Sequence, residues 1–135
     1  MSNTQVVKDI YAAFGRGDIA GILGMLTDDV RWDFEAPAEI SFAGSRRGIK
    51  ETSGFFEGLA KDHTDPKLDM THFIESGDEV AAFGRYEATA RNTGMRTSTP
   101  IAHYWKIRGG KVAQYIGFAN TAAFVEAMKA SAASA

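Results

Sequence analysis

The chain has 135 residues, 44% of them hydrophobic, which predicts one domain over residues 1–135 with an ordered part from about residue 4 to residue 130. Its formal net charge of -2 attracts neither nucleic acid nor an anionic membrane, so we expect neither as a partner. The sequence has no cysteine, no basic apolar leader and no run of ~20 apolar residues, which excludes disulfides and thiolate metal sites and favours a cytoplasmic protein.

Three stretches in the first half of the chain repeat their apolar residues at spacings of three and four, which predicts helices. The first covers residues 4–14, and the second covers residues 18–26, with Asp18 as its cap. The polar residues 27–29 are predicted to end the second helix. A loop at residues 44–48 then leads to the third helix, at residues 49–61.

The period changes to two at Val30, where Val30, Trp32 and Phe34 alternate with charged residues and predict a half-buried strand that Pro37 ends. A polar break at residues 62–66 precedes the second half of the chain. That half predicts four antiparallel strands joined by short turns and then a final helix, at residues 67–75, 80–91, 96–108, 111–119 and 121–130.

Helices gathered before a run of strands predict an α+β domain in which the helices cover one face of a curved antiparallel sheet. Phe73, Phe83, Tyr104 and Phe118 lie on strand parities that cannot all face those helices. We therefore expect an apolar patch on the opposite face, and a homodimer joined through the sheets.

Several motifs of known chemistry are absent from the sequence. The glycines at positions 15 and 17 join two helices and are not followed by a lysine and a hydroxyl residue, and Ser45 lacks the glycine spacing of a hydrolase elbow. His63, His72 and His103 are too widely separated for an obvious metal-ligand pair. We expect no metal and no cofactor.

His103 is the strongest candidate for a reactive group. It lies beside Trp105 on a predicted strand that closes on the turn Gly109–Gly110, and an imidazole in such an aromatic, partly dry place can exchange protons near neutral pH. The alternative is a strand histidine whose nitrogen atoms are satisfied by a neighbouring hydroxyl or carbonyl.

Six aromatic residues are candidates for a pocket wall, although any one of them alone is more often a core residue than a ligand contact. They are Trp32, Phe34, Phe56, Tyr86, Trp105 and Tyr115. Together they favour a hydrophobic, cyclic small molecule as the ligand. Asn120 precedes the last helix, where it would cap that helix or face the mouth of the pocket.

Five segments resemble the SnoaL-like polyketide cyclases and the ketosteroid-isomerase-like proteins of the nuclear-transport-factor-two-like superfamily. They are residues 11–18 (YAAFGRGD), 25–30 (MLTDDV), 42–48 (FAGSRRG), 102–105 (AHYW) and 110–112 (GKV). The resemblance covers about residues 6–124. It implies a cone-shaped α+β domain, a deep pocket between helices and the concave sheet face, and a homodimer.

The resemblance also shows which catalytic groups are missing. It places the isomerase base at Phe34, its tyrosine at Ile10 and its protonated aspartic acid at Ala102. It places the essential aspartate of the cyclases and of the related epoxide hydrolases at Gly117. None of these four side chains can transfer a proton. His103 matches a histidine that recurs in the cyclase-like members.

The leading hypothesis is a small-molecule-binding protein, with isomerisation, cyclisation or hydration by His103 as its possible reactions. One alternative is a non-catalytic ligand-binding or dimerisation domain of the same fold. Another is epoxide or ester hydrolysis through Arg85 and Glu87, which requires both side chains to point inward. A bulge could likewise turn Asp33 or Glu35 inward as a replacement base, whereas strict alternation puts both outward.

Overall fold

The structure is a computed structural model that describes residues 2–134, with side chains to Lys129. Four helices and six strands follow one another along the chain. In order they are α1 Asn3–Gly15, α2 Ile19–Leu23, β1 Leu26–Phe34, β2 Gly44–Arg47, α3 Gly48–Asp62, β3 His63–Ser76, β4 Glu79–Ala90, β5 Arg96–Arg108, β6 Lys111–Ala119 and α4 Thr121–Ser134. The predicted α+β class is confirmed.

Helix α1 forms because its apolar side chains recur on one face. Val6, Val7, Ile10 and Ala13 are buried, and the Ser2 hydroxyl accepts a hydrogen bond from the backbone N–H of Gln5 at the first turn. The predicted cap of α2 is also present, since the Asp18 carboxylate accepts from the backbone N–H of residue 21.

The six strands form one curved, unclosed sheet in the order β2-β1-β6-β5-β4-β3. Strand β1 lies parallel to β6, and all other neighbours are antiparallel. The predicted antiparallel pairing is confirmed for strands β3 to β6, whereas the parallel pairing of β1 with β6 makes the whole sheet mixed. Apolar alternation indicates which face of a strand is buried but carries no information on strand direction. A parallel pair needs a long crossover, which α3 and strands β3 to β5 supply.

Three predicted boundaries differ from the structure. Residues 27–29 belong to strand β1, because Leu26 already pairs with Val112 of β6. Residues 44–47, predicted as a loop, form the edge strand β2 on β1. This short strand is largely exposed, so it lacks the alternation that would identify it. Residues 62–66 are not a break, since β3 begins at His63.

The core lies between the concave face of the sheet and helices α1, α3 and α4. Alternate residues of β4 point to this core, including Val80, Ala82 and Tyr86, while Phe83 and Arg85 between them are exposed. Pairing across the sheet places Phe34, Gly117, His103 and Ala82 in one row on the concave face. Trp32, Tyr115, Trp105 and Val80 form the next row.

Candidate functional site

A cavity opens between α1, α3, α4 and the concave face of the sheet. The cavity has a volume of about 60 Å³. None of the described lining residues is an aspartate, glutamate, lysine or arginine. The lining consists of Ile10, Tyr11, Phe14, Ile22, Trp32, Phe34, Phe42, Phe55, Phe56, Leu59, Leu68, Tyr86, Ile101, His103, Trp105, Tyr115 and Phe124.

His103 and all six aromatic residues proposed from the sequence line this cavity. Asn120 does not. It is exposed, and its backbone N–H donates to the Thr99 hydroxyl at 3.2 Å. The residue follows the end of β6, where the chain turns into α4 and leaves the inward alternation of the strand. A place for Asn120 at the pocket is therefore not observed.

Sequence reasoning missed Tyr11, which supplies the central hydroxyl of the site. Its oxygen lies 2.7 Å from Nδ1 of His103 and accepts a hydrogen bond from Nε1 of Trp105 at 2.9 Å. Tyr11 follows the buried Ile10 directly and lies four positions after the buried Val7. This helical spacing was the signal in the sequence that Tyr11 lies near the buried face of α1. The pattern identified the helix face but not its partner strand.

This chain of hydrogen bonds selects one form of His103. The Trp105 indole can only donate, so the Tyr11 oxygen accepts from it and uses its own hydrogen elsewhere. Donation of that hydrogen to Nδ1 of His103 pairs Trp105 Nε1, the Tyr11 hydroxyl and His103 Nδ1, and it leaves the imidazole proton on Nε2. We therefore assign His103 as the neutral tautomer protonated at Nε2.

Burial holds the site in its uncharged state. It lowers the pKa of His103 from 6.5 to about 3, because a charged imidazolium would lose its hydration. Burial also raises the pKa of Tyr11 and that of Tyr115 above the ordinary value of 10.0. All three groups are neutral at physiological pH, which makes them hydrogen-bonding groups in an uncharged cavity.

The space beside Gly117, where the resemblance places the aspartate of the cyclases, is occupied by a phenol. A Cβ atom on Gly117 would collide with the hydroxyl oxygen of Tyr115 and would lie 2.7 Å from Cδ1 of Phe34. Glycine in place of an acid would by itself leave empty room beside Tyr115. Instead, the Tyr115 side chain itself occupies that room, with its ring stacked on Trp32 at 4.0 Å between centroids.

A second tyrosine–histidine pair lies at another part of the lining. The Tyr86 hydroxyl and Nδ1 of His63 are 2.9 Å apart, and the His63 ring packs against Phe42 and Phe124. Burial lowers the pKa of His63, which Asp62 opposes. His63 itself is not part of the lining, so it is positioned to orient the Tyr86 hydroxyl.

Two proposed roles for charged side chains are excluded because those side chains point away from the cavity. Arg85 is exposed on the face opposite Tyr86, where it donates to the Ser98 hydroxyl at 3.0 Å, and Glu87 shares its parity on β4. The proposed hydrolysis through this pair is wrong, because strand alternation puts both on the far side of the sheet from the cavity. Asp33 and Glu35 likewise alternate with the buried Phe34 and lie outside the lining.

The family model for the SnoaL-like domain matches residues 7–115 of the chain. The chain belongs to the SnoaL-like family. No curated protein sequence is significantly similar to it. Within residues 2–134, none of the helices of this SnoaL-like domain is long and apolar enough to cross a membrane.

Solved structures place the SnoaL-like domain among NTF2-like folds. An NTF2-like protein of Burkholderia pseudomallei is 29% identical, with a TM-score of 0.87 over 95% of this chain and 98% of that one. TerC, co-crystallised with polyporic acid, is 28% identical, with a TM-score of 0.86 over 94% and 98%. A ketosteroid isomerase-like protein from Catenulispora acidiphila, in complex with trimethylamine, is 14% identical, with a TM-score of 0.72 over 84% and 83%, and supports the fold alone.

Proposed function

We propose that this SnoaL-like protein binds a small, uncharged, hydrophobic and cyclic molecule in the cavity of the cone. The observation that carries the proposal is the composition of the lining, which combines aromatic and aliphatic side chains with the hydroxyls of Tyr11, Tyr86 and Tyr115 and the imidazole of His103. Apolar walls with a few placed polar groups are typical of small-molecule sites.

The same lining disfavours a charged ligand. A full charge moved from water into this cavity would meet no opposite charge among the described lining residues, and the cost of its desolvation would not be recovered. Dipoles of phenol and imidazole groups suit a polar but neutral group. The structure of TerC with polyporic acid supports a small organic ligand for a protein of this shape.

Binding is better supported than proton-transfer chemistry. The imidazole of His103, with its pKa near 3, is a weak base for removing a proton from carbon, because efficient general bases have pKa values near the working pH. The positions at which the resemblance places the acids of the isomerases and cyclases are Phe34 and Gly117. Isomerase, cyclase or hydratase activity through His103 stays a prediction, as do the homodimer and a cytoplasmic location.

Ligand binding is tested by comparing the wild type with a variant in which a larger side chain occupies the cavity. Leu68 lines it from β3, whereas Met95, in the turn between β4 and β5, is 47% exposed. We expect members of a panel of uncharged cyclic hydrophobic compounds to raise the melting temperature of the wild type. A compound at a hundredfold over its dissociation constant stabilises by about 2.7 kcal/mol.

The substitution Leu68→Trp should abolish that stabilisation, because the indole would occupy the free space. Met95→Trp is the matched control and should retain it, since it adds the same group at an exposed turn outside the cavity. Loss of binding in both variants, or in neither, would contradict a site inside the cone. Isothermal titration calorimetry of each variant with the same compound gives the affinities directly.

A further inference from the structure

The Tyr115 hydroxyl lies in the cavity without a partner. No hydrogen bond from it to another described residue is present, and Tyr115 is among the most deeply packed aromatic residues of the site, at 3% exposed. Within the described part of the chain, the buried polar side-chain atoms that are both sealed from water and unpaired are Trp32 Nε1 and Thr52 Oγ1. The Tyr115 oxygen is not one of them, so it keeps accessible surface in the cavity.

The Nε2 atom of His103 also lacks a hydrogen-bond partner. Its ring is held by the Tyr11 hydroxyl through Nδ1, and Nε2 has no hydrogen-bond partner among residues 2–129. Like the Tyr115 oxygen, Nε2 is not one of the buried side-chain atoms that are both sealed from water and unpaired. The ring centroids of His103 and Tyr115 lie 5.0 Å apart, because His103 pairs across the sheet with Gly117, two positions after Tyr115.

Gly117 is the residue that makes this arrangement possible. Its backbone has no positive φ angle, so glycine is not required there for its conformation. It is required for space, since any Cβ at this position would collide with the Tyr115 hydroxyl and the Phe34 ring. The glycine therefore selects the placement of the phenol beside His103.

We propose that the Tyr115 hydroxyl and the Nε2–H of His103 form a pair of neutral donors for one acceptor oxygen of the ligand, a carbonyl oxygen on a hydrophobic ring. This inference rests on the proposed function, and it names the chemical class that the cavity recognises. A carbonyl oxygen has two lone pairs and carries no full charge, so it satisfies both donors without needing a cation. Two buried donors left without an acceptor would disfavour a ligand that lacks this oxygen.

The test compares a small bicyclic ketone, indan-1-one, with indane, the hydrocarbon of the same shape. Dissociation constants are measured for wild type, Tyr115→Phe, Gly117→Ala and Tyr104→Phe. The ratio of the indane to the indanone constant isolates the contribution of the oxygen. We expect this ratio to fall about fivefold to tenfold in Tyr115→Phe, as for the loss of one hydrogen bond to a buried oxygen.

Gly117→Ala should produce a similar fall although the phenol is retained, because the added methyl group displaces it. Tyr104→Phe removes a hydroxyl that donates to Glu79 outside the cavity and should leave the ratio unchanged. The infrared band of the indanone carbonyl gives a second readout. It should move to lower wavenumber on binding to the wild type and move back in Tyr115→Phe.

The outcomes separate the two proposals. If both probes bind and the ratio and carbonyl band are the same in wild type and Tyr115→Phe, the donor pair is overturned while a hydrophobic ligand site stands. If neither probe nor any member of the wider panel binds, the proposed function itself fails. Circular dichroism confirms that each variant is folded, and Tyr115→Phe keeps the test valid should Gly117→Ala not fold.

Discussion

Tyr11 links helix α1 to the sheet through two different kinds of contact. Its hydroxyl joins the side chains of His103 and Trp105 by hydrogen bonds, and its ring packs against Phe73 and the same two rings. Because all these groups are largely withdrawn from water, each lost partner leaves a buried donor or acceptor unpaired. The residue therefore supports both the fold and the orientation of His103.

Removal of the Tyr11 hydroxyl and removal of the Tyr115 hydroxyl should affect the free energy of unfolding differently. Tyr11→Phe leaves Trp105 Nε1 and His103 Nδ1 without their partner and should lower the free energy of unfolding by about 1–3 kcal/mol. Tyr115→Phe removes a hydroxyl that has no protein partner, so the free energy should stay within about 0.5 kcal/mol or rise. Urea denaturation at constant pH compares the two, and equal losses in both variants would contradict the assigned network.

The buried imidazole predicts a dependence of stability on pH. His103 titrates near 6.5 in the unfolded chain and near 3 in the folded protein, so between these values the unfolded state binds the extra proton. The stability contributed by the neutral imidazole is complete above pH 6.5 and falls as the pH falls toward 3. Each pH unit in this window costs up to about 1.4 kcal/mol.

We expect the wild type to lose about 2 kcal/mol more than His103→Gln between pH 6.5 and pH 4.5. The carboxylates that also titrate with acid are present in both proteins and cancel in the difference. His72→Gln, which removes an exposed imidazole on β3, is the matched control and should follow the wild type. Denaturation curves at several pH values measure the difference, and parallel curves for wild type and His103→Gln would refute a buried neutral His103.

At the level of single residues, the sequence predicted strand positions better than helix positions. Alternation identified Trp32 and Phe34 as inward-facing, because a period of two leaves only two choices of face. The partner of His103 could not be predicted, since it depends on how α1 lies across the sheet. The filling of the space at Gly117 depends on a side-chain rotamer, which no spacing pattern encodes.

Helix α3 carries a close contact that fixes one wall of the cavity. Gly58 lies against the backbone of residues 41 and 42, where an added Cβ would be 2.6 Å from the Ser41 carbonyl oxygen. The Asp62 carboxylate accepts from the backbone N–H and hydroxyl of Ser41, at 2.8 and 2.6 Å. Together these contacts hold Phe42 against the cavity, where its side chain is buried.

Two glycines on this one helix provide a matched pair of substitutions. Gly58→Ala forces the helix away from a backbone segment that cannot rotate aside, and should destabilise the protein by about 1–3 kcal/mol. Gly54→Ala places its methyl group 3.7 Å from the Arg46 side chain, an ordinary contact, so the helix propensity of alanine should stabilise by up to about 1 kcal/mol. Thermal and urea unfolding measure both, and a stabilising Gly58→Ala would disprove the close contact.

Strands β5 and β6 were predicted with the bounds that the structure has, because a glycine turn separates two long apolar alternations. Strand β2 and the parallel pairing of β1 with β6 were not predicted. Both depend on contacts between residues far apart in the chain, and β2 is an exposed edge with little apolar content. The local sequence pattern therefore predicted strands such as β5 and β6, which bury one face. It did not predict β2, which buries neither face.

The molecule as a whole has two apolar surfaces, one inside the cone and one outside it. On the outer face of the sheet, Phe83 of β4 and Phe118 of β6 flank Ala102 of β5 in one cross-strand row, and they are 42% and 47% exposed. Ile74 of the edge strand β3 is 64% exposed and adds to this outer face. Clustered exposed aromatic residues on a sheet favour burial against another protein surface.

We propose that a second copy of the chain covers this outer face, as the sequence predicts. Phe118→Glu should then shift the protein toward monomer, because a dimer would bury an unpaired carboxylate at its centre. Met95→Glu adds the same charge at a residue that is also 47% exposed but lies in the turn between β4 and β5, and should leave the association unchanged. Sedimentation velocity over a range of micromolar concentrations decides between the possibilities. A wild type that sediments as a monomer throughout would refute the dimer, whereas a dimer insensitive to Phe118→Glu would mean that the copies associate through another surface.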